Sequence, residues 1–378
     1  MTETLINALA QLPNLNVKAR SSVFRYKGKE TDEKTIGKEL NVQAVLRGRV
    51  VQRSDALTLY LALVDAATNN QIWGEEYNRK TTDLVALQSE ITRDVTNKLR
   101  VKLSGAEEQK LAKNYTANSE AYQLYLKGRF HFNKRTPKDI DKSVEYYQQA
   151  IAVDPNYALA YTGLTDAYIL SLGRSTSPQE TIIKAREAAT KAVQLDDKLA
   201  EAHTALGHVL NRFDYDFTGA ERELRRAIEL NANYGDAHFR YMELLVVQGR
   251  WEEAFAEIRR ALELEPLNLV FNSFYGLVMI YARRYDEAIV QLKKTLELDA
   301  DFPLTHNFLS MVYWLKGDYA QSVEERAKVL EINGDTQKAA LVRESFAKGG
   351  WVGFLRTVIR EPIVLGSRFY SIATYYAA

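Results

Sequence analysis

The sequence predicts a mostly α fold, an α-α superhelical solenoid preceded by a small α/β domain. Three observations predict it. Landmarks near the C-terminal end recur 34 residues apart: Trp251, Tyr285 and Tyr319; Ala254, Ala288 and Ser322; Leu264, Leu298 and Ile332. A fixed period of that length marks a solenoid whose units are helix pairs. The first hundred residues instead carry runs of period-two alternation, the mark of half-buried strands. Finally, 378 residues with 46% apolar and 26% charged content make a normal folded chain that is too long for one ordinary core.

In the N-terminal part, Leu5, Ile6, Leu9 and Leu12 recur at helical spacing within Thr4 to Leu12. Leu15 to Ala19 is short and strand-like. Asp32 to Leu40 is a second helix with Ile36 and Leu40 on one face. Val42, Ala44, Leu46, Gly48 and Val50 alternate with mostly polar partners. Leu57, Leu59, Leu61 and Leu63 repeat that period after a turn at Ser54-Asp55. Asn69-Asn70 turns the chain into a third strand, Gln71 to Tyr77. The amphipathic segment Leu84 to Leu103 closes the unit as a helix. Boundaries follow: residues 1–103 form the α/β domain and 104–118 a polar connector.

From 119 to 334 helical periodicity runs through six units, and 335–378 reads as a helical extension. Each unit pairs a first helix with a second that bears alanine at the crossing. Small residues (Gly128, Gly207 and Gly276 in first helices, Ala254 and Ala288 in second ones) allow close approach. Trp251, Tyr285 and Tyr319 fill the space beside them. Asp154-Pro155 and Glu265-Pro266 separate repeats, because proline lacks the helical donor. Extra residues near Thr136-Pro137, Gly173 to Pro178 and Asp214 are expected in loops that leave the stack intact.

The Gly-x-Tyr/Trp-x-Glu-Ala pattern in GRWEEAFAEIRRALELEP and its successors, with the period of 34, resembles the tetratricopeptide repeat. The resemblance implies a right-handed superhelix whose concave groove binds peptides or helices of partner proteins. The stretches TETLINALAQLPNLNVKARSSVFRYKGK, IGKELNVQAVLRGRV and LVDAATNNQIWGEEYNR resemble the TolB-like N-terminal domain of bacterial signalling proteins. Relatives of that kind place it after a protein kinase, a winged-helix domain or a nucleotide cyclase, and begin it with a strand upstream of the stretch where Met1 sits. Ser367 to Ala378 looks like the first helix of a seventh repeat, stopped midway. A fragment of a longer protein, or a gene start placed at an internal methionine, is therefore expected. The first strand of the domain would then be missing.

Composition excludes several function classes. There are 50 Lys plus Arg against 49 Asp plus Glu, so no global charge draws the chain to nucleic acid. Without cysteine there is no disulfide, thiol catalysis or Cys-ligated zinc. No apolar run reaches the ~18 residues of a membrane span, and the N-terminus is not a signal peptide. The chain reads as soluble, cytoplasmic or, with an upstream membrane helix, extracytoplasmic. His203, His238 and His306 share one position of three first helices and read as packing residues. Lys348-Gly349-Gly350 reads as a helix stop rather than a phosphate loop. Asp214-Tyr215-Asp216 lacks the further oxygens that calcium needs. No catalytic residue, metal site or cofactor site is expected.

What remains is the groove. By the resemblance, the concave positions are Glu201, Thr204, His208 and Asn211, then Asp236, Phe239, Glu243 and Val246. They continue as Val270, Ser273, Leu277 and Ile280, then Leu304, Asn307, Met311 and Trp314. The surface passes from polar to apolar, which suits an amphipathic helix laid in a groove. The Lys/Asn carboxylate clamp of chaperone-binding repeats is not matched. The expected function is a non-catalytic protein-protein interaction module or scaffold, the sensor or regulatory part of a bacterial signalling protein. The alternative is the detached regulatory half of a serine/threonine kinase, nucleotide cyclase or winged-helix regulator. A protein or peptide is the expected partner, with self-association through the uncapped C-terminal repeat as a further mode.

Overall fold

The computed structural model describes residues 5, 6, 9, 15, 17, 18, 20–80, 83–99, 116–134, 136–172 and 177–360. Contacts divide the chain into two compact units, 1–244 with Glu263–Pro266, and 245–262 with 267–378. The expected connector falls almost wholly, and the truncated seventh repeat entirely, outside the described residues.

The first unit opens with the α/β element. Helix α1 (Glu33–Leu40) starts where the Asp32 carboxylate accepts from the Thr35 N–H at 2.9 Å, and stops at Asn41 in the left-handed region. Strands β1 (Ala44–Arg53), β2 (Ala56–Asp65) and β3 (Gln71–Lys80) form an antiparallel meander in that order. Its turns are made by Ser54 and Asn69 at positive φ, with the Asp65 carboxylate accepting from the N–H groups of Ala67 and Thr68. Leu57, Leu59, Leu61 and Leu63 of β2 and Trp73 and Tyr77 of β3 share one face. Leu87, Ile91 and Val95 of α2 (Leu84–Lys98) cover it, as the alternation required. Tyr77 donates to the Asp94 carboxylate at 2.8 Å, which ties α2 to the sheet. Leu15, Val17 and Lys18 lie in no strand, contrary to the strand-like reading of 15–19. Leu15 and Val17 pack on this core, while the Lys18 ammonium donates to the Glu263 carbonyl and Asn233 to the Leu15 carbonyl.

Helix pairs follow: α3 (Ser119–Lys134) with α4 (Pro137–Val153), and α5 (Ala158–Ser171) with α6 (Pro178–Leu195). Next, α7 (Ala200–Val209) packs on α8 (Phe217–Leu230), and α9 (Gly235–Val247) comes after. The close approaches expected at glycine are present. A Cβ on Gly128 or Gly163 would lie 2.6 Å from the ring of Tyr147, which is fully buried between α3, α4 and α5. Gly207 meets Leu224 in the same way at 2.6 Å. Two of the predicted insertions, near Thr136-Pro137 and over Gly173 to Pro178, fall partly outside the described residues. The third behaves differently. The extra residue near Asp214 is taken up inside the helix, as a π turn over Leu210–Asp214 that continues α7. A one-residue insertion fits there because the wider i→i+5 turn accommodates it without ending the helix.

In the second unit, α10 (Trp251–Leu264, to residue 262) precedes α11 (Leu269–Tyr281) and α12 (Tyr285–Leu298). Then come α13 (Pro303–Leu315), α14 (Tyr319–Ile332) and α15 (Thr336–Arg360). Gly276 admits Leu292 to within 2.6 Å of where its Cβ would be. Val323, Ala327 and Leu330 of α14 pack with Ala339, Val342, Phe354 and Val358 of α15. Trp351 stacks between Tyr319 and Phe354, with ring centroids 4.6 and 4.9 Å away. Gly350 at φ 56 breaks the helical backbone inside α15, at the predicted stop. That break lets the segment after it fold back against α14.

Candidate functional site

In the first unit, the π turn carries Asn211 and Arg212 directly after the turn of α7 that holds His208. Its end is fixed three ways: Tyr215 is left-handed, Arg186 Nε donates to the Asp214 carboxylate at 2.9 Å, and the Asp216 carboxylate caps α8 through the Gly219 N–H. Glu201 and Glu243 are half-buried, and Thr204 spends its hydroxyl on the Ala200 carbonyl. His208 is only 4% exposed, and neither ring nitrogen has a hydrogen-bond partner. Burial, then Arg240 and Arg212, hold its pKa well below the usual 6.5, so the ring is neutral near pH 7. Asn211, on the π turn, is 9% exposed and its Oδ1 also lacks a partner.

On α9, Phe239 is buried and the Arg240 guanidinium stands 5.0 Å over its ring. Arg240 donates to Glu243 at 2.8 Å, and both side chains keep some contact with solvent. Burial would lower the Arg240 pKa, but Glu243, Asp236 and Asp166 raise it overall. Arg129 of α3 is held up in the same manner, against burial, by Tyr147, Tyr234, Asp166 and Asp236. Burial and Asp236 push the Tyr234 phenol well above 10. These positions form a wall of opposed charges within protein surroundings. The sequence reading had Glu201, Asp236 and Glu243 and missed Asp166, Arg129, Arg212 and Arg240, which no repeat position singles out.

The second unit carries the apolar positions. Asn268 starts α11 by accepting from the N–H groups of Val270 and Phe271 at 3.0 and 3.2 Å. A buried pair of hydroxyls, Ser273 with Thr305 at 2.7 Å, and the edge-to-face rings of Phe274 and Phe308 hold α11 beside α13. Val270 and Leu277 on α11, and Met311 and Trp314 on α13, are half-buried. Val246, in the last turn of α9, is half-buried too. Ile280 is 2% exposed and, like Phe239 in the first unit, belongs to the core.

The shared histidine position holds more than packing. His203 Nδ1 lies 2.7 Å from Glu223 and His306 Nδ1 2.5 Å from Glu325, each acid being on the second helix of the same pair. Their Nε2 atoms face the carbonyls of Asp197 and Ala300 at 2.9 and 2.8 Å. Among the described residues no cluster of three or more His, Cys, Asp or Glu could hold a metal ion. Nor is any described helix long and apolar enough to cross a membrane.

Residues 124–157, which span most of α3 and all of α4, match the family model for the tetratricopeptide repeat. The chain is 30% identical over 217 residues to a putative adenylate cyclase 3 of Rhizobium meliloti, covering 56% of this chain and 36% of the cyclase. It is 27% identical over 137 residues to the transcriptional regulator HilA of Salmonella typhimurium, covering 36% of this chain and 24% of the regulator. The chain thus spans about a quarter to a third of the length of these relatives. Among solved structures it is similar to YrrB, a tetratricopeptide protein with an unusual peptide-binding site, at 22% identity and a TM-score of 0.32 over 49% of this chain and 89% of that one. PilW, a type IV pilus biogenesis factor, aligns at 15% identity and a TM-score of 0.46 over 59% of this chain and all of that one. One helix pair, α3 with α4, matches the repeat family directly, and further helix pairs follow it in the chain.

Proposed function

We propose that the chain is a non-catalytic interaction module of a signalling protein, which binds a helix or peptide of a protein partner along the first helices of its repeats. The observation that carries this reading is the row Val270, Leu277, Met311 and Trp314 on the adjacent helices α11 and α13. Helix packing leaves these side chains half-buried, so each still has apolar surface to lose to a partner. Similarity to parts of a putative cyclase and of a transcriptional regulator supports the signalling setting. The N-terminal meander with its covering helix suits the TolB-like resemblance and would be the second module of such a protein.

Leu277→Glu and Trp314→Ala are the informative substitutions, whereas Phe239 and Ile280 are too buried to separate binding from folding. Capture of proteins from a lysate on the immobilised full chain is expected to fall at least tenfold for either variant, since central anchors are worth about 2 kcal/mol or more each. Val290→Glu on α12, at a side chain already 68% exposed, is expected to leave capture unchanged. Unchanged capture by the first two variants, with helical circular dichroism intact, would overturn the proposal. If both variants instead convert a dimer to a monomer in sedimentation, the face joins two copies of this chain.

A further inference from the structure

Resting on that interaction reading, we infer that the first unit seats an acidic side chain, an aspartate or glutamate of the partner polypeptide, at Arg212 and Arg240 beside His208, and that this docking takes up a proton. Three observations support it. His208 is buried, with both ring nitrogens unpartnered. Asn211, three residues on, is also buried with an unpartnered amide oxygen, and an amide turned about its last bond would present a donor instead. Buried polar atoms in native proteins are nearly always satisfied, so two such residues on adjacent turns point to a missing polar group. The charged groups acting on His208 are both cationic, Arg240 and Arg212.

Arg240 is engaged by Glu243, but Arg212 is exposed and makes no ion pair among the described residues. The π turn is what brings these groups together: it carries Asn211 and Arg212 directly after the turn of α7 that holds His208. The acids on neighbouring elements act on groups other than His208. Asp166 of α5 and Asp236 and Glu243 of α9 act on Arg240, while Glu223 of α8 holds His203. Arg186 of α6 is bound to Asp214. The charge beside His208 that no acid pairs among the described residues is that of Arg212, and a carboxylate is the group that neutralises it.

The proton follows from linkage. Free His208 is neutral because burial and two guanidinium groups oppose its charge. A docked carboxylate cancels that field and raises the histidine pKa in the complex. Affinity then rises as pH falls through the pKa of the complex, by at most tenfold per pH unit for one proton. The partner carboxylate stays ionised throughout, since its own pKa is near ~4.

The test uses the full chain and fluorescent acetyl-hexaglutamate amide, with hexaglutamine and hexalysine of the same form, read by anisotropy at about pH 7.5 and about pH 6. Hexaglutamate is expected to bind about three- to tenfold more tightly at the lower pH. Arg212→Ala is expected to weaken binding severalfold at both pH values while keeping the pH dependence. His208→Gln is expected to bind equally at both. Because Arg212 is exposed, its variant keeps the test decisive even where His208→Gln perturbs folding. No binding of hexaglutamate, equal or tighter binding of hexalysine, or a pH dependence that survives His208→Gln would overturn the inference. If hexaglutamate fails while Leu277→Glu still abolishes capture, this inference falls and the interaction reading stands.

Discussion

Replacing Tyr147 by alanine is expected to destabilise the first unit by about 3–5 kcal/mol, the cost of removing a fully buried aromatic side chain and leaving its cavity. The ring is completely buried and touches α3 and α5 at once, through the glycines that face it from both helices. Tyr125 packs at its edge, with centroids 5.9 Å apart. Neither helix can close the gap without moving the other. Urea unfolding followed by helical circular dichroism is expected to show an earlier transition for the affected pairs, because each repeat leans only on its neighbours. A loss below about 1 kcal/mol would sink this account of the interface. The glycines supply a sharper check. In a helix interior Gly→Ala ordinarily stabilises by up to about 1 kcal/mol. Gly163→Ala should instead destabilise the wild-type chain, since its Cβ would fall 2.6 Å from the Tyr147 ring. In the Tyr147→Ala background the same change should stabilise, and that reversal is a coupling which a double-mutant cycle measures.

This contact was half legible in the sequence. Periodicity marked Gly128, Gly207 and Gly276 as sites of close approach, and the structure supplies what approaches them: Tyr147, Leu224 and Leu292. The three-stranded meander was readable because alternation of period two allows one register, and the helix stop at Gly350 because a left-handed residue suits glycine. The rest depended on information that a linear pattern does not carry. An insertion of one residue near Asp214 looks the same whether it enlarges a loop or widens a helical turn, so the π turn was invisible. Ile280 shares its repeat position with the half-buried Val246 and Trp314, yet a modest rotation of a helix moves a side chain from a half-exposed face to the core. His203 and His306 read as packing residues because the aligned position is usually apolar. Their acids lie 20 and 19 residues further on, in the second helix of the pair, where no single-helix period would find them.

The His306–Glu325 pair gives the second large expectation, a reversal in how the second unit responds to pH. Both hydrogen-bond partners of the ring are acceptors, the Glu325 carboxylate and the Ala300 carbonyl, so these contacts favour the doubly protonated, cationic ring. Burial opposes that charge, but the Glu325 hydrogen bond, the Ala300 carbonyl and the Glu325 charge outweigh it, and the pKa is raised above 6.5. Burial likewise opposes ionised Glu325, yet His306 and Lys328 bring its pKa below 4.5. The histidine therefore contributes stability that is fully present below its unfolded pKa and is lost as pH rises through the folded value. The glutamate contributes stability present above its unfolded pKa and lost as pH falls through its folded value. Between the two unfolded values the pair is at full strength, so the wild-type unit should gain stability from about pH 7.5 down to about pH 5.5. Glu325→Ala removes one partner of a buried pair and is expected to cost about 3–5 kcal/mol. It also leaves His306 buried with only the carbonyl to favour its charge, so its folded pKa should drop below 6.5. The variant should then lose stability over the same descent in pH, because its unfolded state takes up the proton more readily. Urea midpoints at the two ends of that range decide the matter. Parallel pH slopes for wild type and variant would mean that the ring carries no charge in the folded chain.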